Sequence, residues 1–329
     1  MHATEGTGRL HLTFRDYAHH PFMPRAADAN ATACHDSRPH DCSSDRPCVD
    51  ALAPGRWVRS TVPGCADEWC ASCAFAATTE GEARRCLRKS WPWIHLTGDS
   101  HARNLFDGIA AFLGCPVQEK QDDAVRYDTL NECSLAGARI TYLFRGKMMR
   151  QRRPRFCRTA EDDLHDAFFN ESARLGVWPD ALIFSVGSHE AISWGKGPLP
   201  TYDLGELQQD THDFLSWLRD GLGFAGRLVW WKPPYLSTQL GPISAQQVNR
   251  NRTVRTFYEQ AASLMHEQFV QWRTERPDPA LQLADFYQTT VGRRTVAGGH
   301  YHDLAPFHYN VLLHLLCHVP AARSGVSTS

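Results

Sequence analysis

Four short apolar runs, Ile94–Thr97, "ARITYLF" (138–144), "ALIFSV" (181–186) and "RLVWW" (227–231), punctuate this chain, with helical periodicity between and after them. Leu105, Phe106, Ile109 and Leu113 recur at helical spacing, as do Leu164, Phe168 and Leu175. Leu204, Leu207, Phe214, Leu215, Leu218 and Leu222 mark a long helix, a further one is expected from about 253 to 273, and an apolar helix near 309–318 closes the chain. Strands that are apolar throughout are buried on both faces, and parallel neighbours need a crossover, which these helices supply. The expected fold is therefore α/β, a three-layer α/β/α sandwich around a parallel sheet.

The first ninety residues have a different texture, rich in Cys, Pro, Asp and Ser and poor in sustained periodicity. Seven of the eleven cysteines lie there: Cys34, Cys42, Cys48, Cys65, Cys70, Cys73 and Cys86. The expectation is a Cys-rich, loop-dominated region over 1–90 followed by the main domain over 91–329. Clustered cysteines suit an oxidising compartment, and an odd total leaves at least one thiol free or intermolecular. The start, "MHATEGTGRLHLTF", lacks the pattern of a signal peptide. The cysteines favour a truncated chain from the secretory route over a cytosolic enzyme with free thiols. Sequons at Asn30, Asn170 and Asn251 agree with a glycoprotein. No apolar run approaches the length of a membrane span.

A formal net charge of -1 and a pI near 7 provide no global field for nucleic acid. One local exception is "RGKMMRQRRPRFCR" (145–158), with seven basic residues and no acid. It is either a solvated loop or a clamp for an acidic glycan or a phosphate-bearing donor. Cys65, Cys70 and Cys73 have the spacing of an iron–sulfur loop, but disulfides are the expected use. His314 and His318, one turn apart, have no acidic ligand with them, so no metal and no cofactor are expected. "GLGFAG" (221–226) follows a helix and precedes a strand, the reverse of a dinucleotide loop, and is expected to be a helix cap and turn.

"GDSHARNLF" (98–106) follows the first apolar run, where open α/β sheets bind their ligands. A serine between strand and helix is ordinarily a helix cap. Here the stretch resembles the first block of the SGNH-hydrolase superfamily, in particular the PC-esterase-like branch of glycan O-acyltransferases and esterases, which includes trichome-birefringence-like and neurexophilin-and-PC-esterase-like proteins. Further matches follow in order: "APGRWVRS" (53–60), "LIFSVGSHEAI" (182–192), "LVWWKPPY" (228–235) and "AGGHYHDLAPFHYNVLLHLLC" (297–317). The resemblance spans roughly 50–318.

It implies an SGNH-like fold and an O-acyl, preferentially O-acetyl, transferase or esterase in the Golgi lumen or outside the cell. The partners would be a carbohydrate substrate and an acyl donor. Ser100 would be the nucleophile and His300 its base. Gly146 and Ser185 would belong to the oxyanion hole, and Arg103, Gly187 and His189 match positions of the family's substrate-binding blocks.

Two departures matter. Ala297 stands where the family has the Asp that orients the catalytic His, so a Ser-His dyad, an orienting role for Asp303, or lost turnover all stay open. Ser185 stands where the family has Asn, and a hydroxyl offers one donor. The alternative function is a catalytically inactive glycan-binding protein on the same scaffold.

Overall fold

The computed structural model describes residues 46–50, 55–58, 68–115, 130–145, 159–186, 204–234, 245–276, 278, 280–290 and 304–319. A two-stranded antiparallel sheet, β1 (Gly55–Val58) and β2 (Glu68–Ala71), comes first, and α1 (Glu80–Ser90) leads into the main sheet. The remaining elements are β3 (Trp93–Gly98), α2 (Ser100–Phe112), β4 (Asn131–Leu135), β5 (Ala138–Phe144), α3 (Thr159–Leu175), β6 (Ala181–Ser185) and α4 (Leu204–Ser216). Then come β7 (Arg227–Lys232), α5 (Ala245–Glu275), β8 (Leu281–Asp285), α6 (Phe286–Thr290) and α7 (Ala305–Cys317).

The main sheet has six strands in the order β4-β5-β3-β6-β7-β8. All neighbours are parallel except β4, which pairs antiparallel with β5 at one edge. The purely parallel sheet expected from the sequence is thus mostly parallel, because the polar "NECSL" of β4 folds back as a hairpin over a turn containing Gly137.

Alternation along each strand splits the core into two layers. Ile94, Leu96, Ile140, Ile183, Val229 and Trp231 pack with Leu105, Ile109, Leu312 and Leu316 of α2 and α7. Leu182, Phe184, Leu228, Trp230 and Leu283 pack with Phe169, Phe214, Met265 and Phe269 of α3, α4 and α5. The fold is an α/β/α sandwich. Between α4 and β7, Gly223 turns with φ +70°, as expected for a helix cap followed by a turn.

The N-terminal part is fastened to this core. Among the described residues, disulfides join Cys48 to Cys73, Cys86 to Cys317 and Cys115 to Cys133, and Cys70 is disulfide-bonded too, which settles the use of Cys70 and Cys73. His314, fully buried in α7, accepts a hydrogen bond from the Ala76 amide at Nδ1, which leaves Nε2 to donate to the Cys48 carbonyl. Asp50 accepts the Leu283 amide at the outer edge of β8 and pairs with Arg273, so an otherwise open strand edge is covered. No helix among the described residues is long and apolar enough to cross a membrane.

Candidate active site

The chain runs from β3 to β5 on one side and later places β6 on the other, so the strand order reverses at β3. Ligands of open α/β sheets bind beyond the carboxyl ends of strands at such a reversal. The residues that follow β3 there are Asp99 and Ser100.

Both neighbouring strands hold this turn. The Asp99 amide donates to the Ser185 carbonyl of β6 at 3.0 Å, and the Arg145 amide, just past β5, donates to the Gly98 carbonyl at 2.7 Å. The Tyr142 hydroxyl lies 3.2 Å from the Gly98 carbonyl and 3.3 Å from that of Asp99. Gly98 adopts φ +148°, and a Cβ built on it would lie 1.8 Å from the Ser185 carbonyl oxygen. Only glycine allows the two strands to approach this closely.

The helix cap is Asp99, not Ser100. Asp99 has extended backbone, is fully buried, and accepts the His101 amide at 2.9 Å. Ser100 is the first residue of α2, where the helix dipole and the unsatisfied amides of the first turn concentrate positive potential. Developing negative charge on an oxygen bonded at Ser100 would be stabilised there.

Ser100 shares a helix face with Asn104, four residues on. Asn104 and His101 line a cavity of about 30 Å³ with Trp231, Pro234, Phe286 and His308. It is bounded by the start of α2, the ends of β7 and β8, and the first turns of α7. Trp231 and Phe286 stack with centroids 3.6 Å apart, and His308 meets the Phe286 ring edge-on at 4.4 Å. Burial, with the nearby His101 as a second cause, pushes the His308 imidazole down to about 3, so it is neutral at physiological pH. Its Nε2 is shielded and has no hydrogen-bond partner among the described residues.

Of the expected site residues, Ser185 ends β6 in register with Gly98. Its hydroxyl is fully buried, lies on the sheet face that carries Ile183 and Trp231, and has no hydrogen-bond partner among the described residues. Arg103 is half-buried on α2, its amide bonded to the Asp99 carbonyl. Gly146, Gly187, His189, Ala297, His300 and Asp303 lie outside the described residues, as does the basic stretch after Arg145. Sequence reasoning assigned no site role to Trp231, Phe286 or His308, the last being read only as one of several histidines near the end of the chain. They converge from three distant segments, and His308 had no local pattern to separate it from an ordinary helix residue. No cluster suited to a metal ion occurs among the described residues.

The chain matches no protein-family model and no curated protein.

Proposed function

We propose that this protein is a serine-dependent acyltransferase or carboxylic-ester hydrolase of the PC-esterase-like SGNH type, acting on the O-acyl, preferentially O-acetyl, groups of a carbohydrate. The observation that carries the reading is the division of labour in Gly98-Asp99-Ser100. Asp99 caps the helix, which removes the ordinary explanation for a serine at that position. The Golgi lumen or the extracellular space is the proposed setting, in keeping with the disulfides.

In the first step Ser100 Oγ attacks the ester carbonyl carbon while His300 takes the hydroxyl proton. The tetrahedral oxyanion sits at the start of α2, with Gly146 and Ser185 as further donors. The C–O bond to the leaving alkoxide then breaks, and His300 returns the proton to that oxygen. Water or an acceptor sugar hydroxyl attacks the acyl-serine in the same way, releasing the carboxylic acid or the acylated acceptor and restoring Ser100. Arg103, Gly187 and His189 are assigned to substrate binding. With Ala297 in place of the usual Asp, either a backbone carbonyl or Asp303 orients His300.

The test is turnover of acetylated oligosaccharides by wild type, Ser100→Ala and His300→Ala. Acetate release or transfer that either substitution abolishes is the expected result. A second reading, glycan binding without turnover, is favoured by Ala297 and Ser185. Saturable binding of the same oligosaccharides with no acetate released would select it.

A further inference from the structure

Tyr142 stands on β5, under α2, and reaches the turn that carries Ser100. It is buried, and its ring stacks on Phe106 of α2 with centroids 5.8 Å apart. The hydroxyl lies 3.2 Å from the Gly98 carbonyl oxygen and 3.3 Å from that of Asp99. Both distances are long for a hydroxyl donor, as expected where one proton is shared between two acceptors.

Neither carbonyl depends on this hydroxyl for satisfaction. The Gly98 carbonyl already accepts the Arg145 amide at 2.7 Å, and the Asp99 carbonyl accepts the Arg103 amide at 3.1 Å. Phenylalanine would fill the same space without burying a hydroxyl, whose removal from water costs free energy. What the hydroxyl adds is direction. A trans peptide is planar, with its C=O and N–H pointing to opposite sides, so a group that fixes the Asp99 carbonyl fixes the direction of the Ser100 N–H. The preceding peptide is gripped from both neighbouring strands, by the Arg145 amide past β5 at its carbonyl and by the Ser185 carbonyl of β6 at its amide. Tyr142 bridges the two peptides and extends that grip to the first peptide of the helix.

We propose that Tyr142 is a positioning residue of the reaction and that its hydroxyl aims the Ser100 amide at the oxyanion. The proposal rests on Ser100 being the nucleophile, whose own amide is the backbone donor closest to Oγ along the chain. A donor already aimed at the place where charge develops needs no reorganisation as the reaction proceeds, which is the source of its effect. Misplacement by about 1 Å costs about a hundredfold.

Tyr142→Phe keeps the ring and removes the hydroxyl. The full chain and this variant, with folding checked by circular dichroism, are treated with a fluorophosphonate, and kinact, KI and the number of sites labelled at completion are measured. In the variant kinact is expected to fall about ten- to a hundredfold with KI and final labelling unchanged, and kcat/KM for p-nitrophenyl acetate is expected to fall by the same factor. A merely structural role lowers the number of sites that label and leaves the rate at each one unchanged. That result, or rates equal to those of wild type, would overturn the proposal. A measurement on wild type decides where the variant does not fold. In the serine adduct the phosphonyl oxygen takes the place of the oxyanion, so the Ser100 amide proton is expected to move downfield in the NMR spectrum on labelling. A Ser100 amide that stays in place removes the positioning role and leaves the acyl-serine reading standing. Failure of wild type to label and to hydrolyse the ester removes both.

Discussion

Replacing Gly98 by alanine perturbs the point where β3, β6 and the start of α2 meet. The new Cβ would lie 1.8 Å from the Ser185 carbonyl oxygen and 2.7 Å from its carbon. Real contacts of this kind need about 3.0 Å, so the strands must part by about 1.2 Å in a region packed like a crystal. Positive φ adds about 1–2 kcal/mol of strain, forcing the strands apart about 1–3 kcal/mol, and loss of the Asp99 amide bond about 1–3 kcal/mol. The expected destabilisation is about 5 kcal/mol, comparable with the whole stability of a marginal domain. Gly223→Ala is the control, because Gly223 has φ +70° and nothing within 4 Å of its built Cβ. That variant carries only the backbone strain, about 1–2 kcal/mol. Urea unfolding followed by tryptophan fluorescence measures both, with unchanged slopes showing that the midpoints report stability. In the folded fraction of Gly98→Ala, displacing Ser100 by about 1 Å is expected to cost about a hundredfold in turnover. Coincident midpoints for the two variants would refute the claim that β6 clamps this turn.

The buried histidines make stability depend on pH. Burial, then the Arg139 charge, pushes His95 down to about 3, and burial first among its causes pushes His266 to about 4. Because the folded values lie below the unfolded one, the unfolded chain binds more protons as pH falls, so stability is complete above about pH 6.5 and declines below it. His95 alone is expected to cost about 2 kcal/mol between pH 8 and pH 5, and urea midpoints that stay level over that range would contradict it. The disulfide between Cys86 and Cys317 spans 231 residues, and removing both cysteines is expected to cost about 5 kcal/mol by loss of the chain constraint. A thermal midpoint unchanged in the double alanine variant would show that α1 and α7 are held by packing alone. His308, neutral until about pH 3, is expected to show no change in its ring nitrogen shifts from pH 8 to 5 by NMR, and a titration there would show that the cavity is wetter than described.

The central strands were legible because burial on both faces leaves a simple mark, as in "ALIFSV" and "RLVWW". β8 was not read, since "LQLAD" is short, alternates with a glutamine and follows Pro277 and Pro279. β4 was missed for the opposite reason, being a polar edge strand with little to bury. Helix α1 falls in the stretch read as loops, yet Thr79 and Glu82 form a reciprocal capping box, a pattern visible in the sequence. The last helix begins four residues before the apolar run suggested, because Pro306 is tolerated in the first turn of a helix. Gly-Asp-Ser marks the turn from β3 into α2, as the sequence suggested, and aspartate caps helices as well as serine does. The cavity beside the start of α2 left no local trace. Trp231, Phe286 and His308 acquire their meaning only when β7, β8 and α7 converge on the start of α2.

The central claim is that Ser100 carries an activated hydroxyl. Its most direct test is to treat the folded protein with a fluorophosphonate, digest it and locate the adduct by mass spectrometry. The account predicts one adduct on Ser100, absent after prior denaturation and absent from His300→Ala. An adduct at another residue, or none where a related active serine esterase is modified, would contradict it.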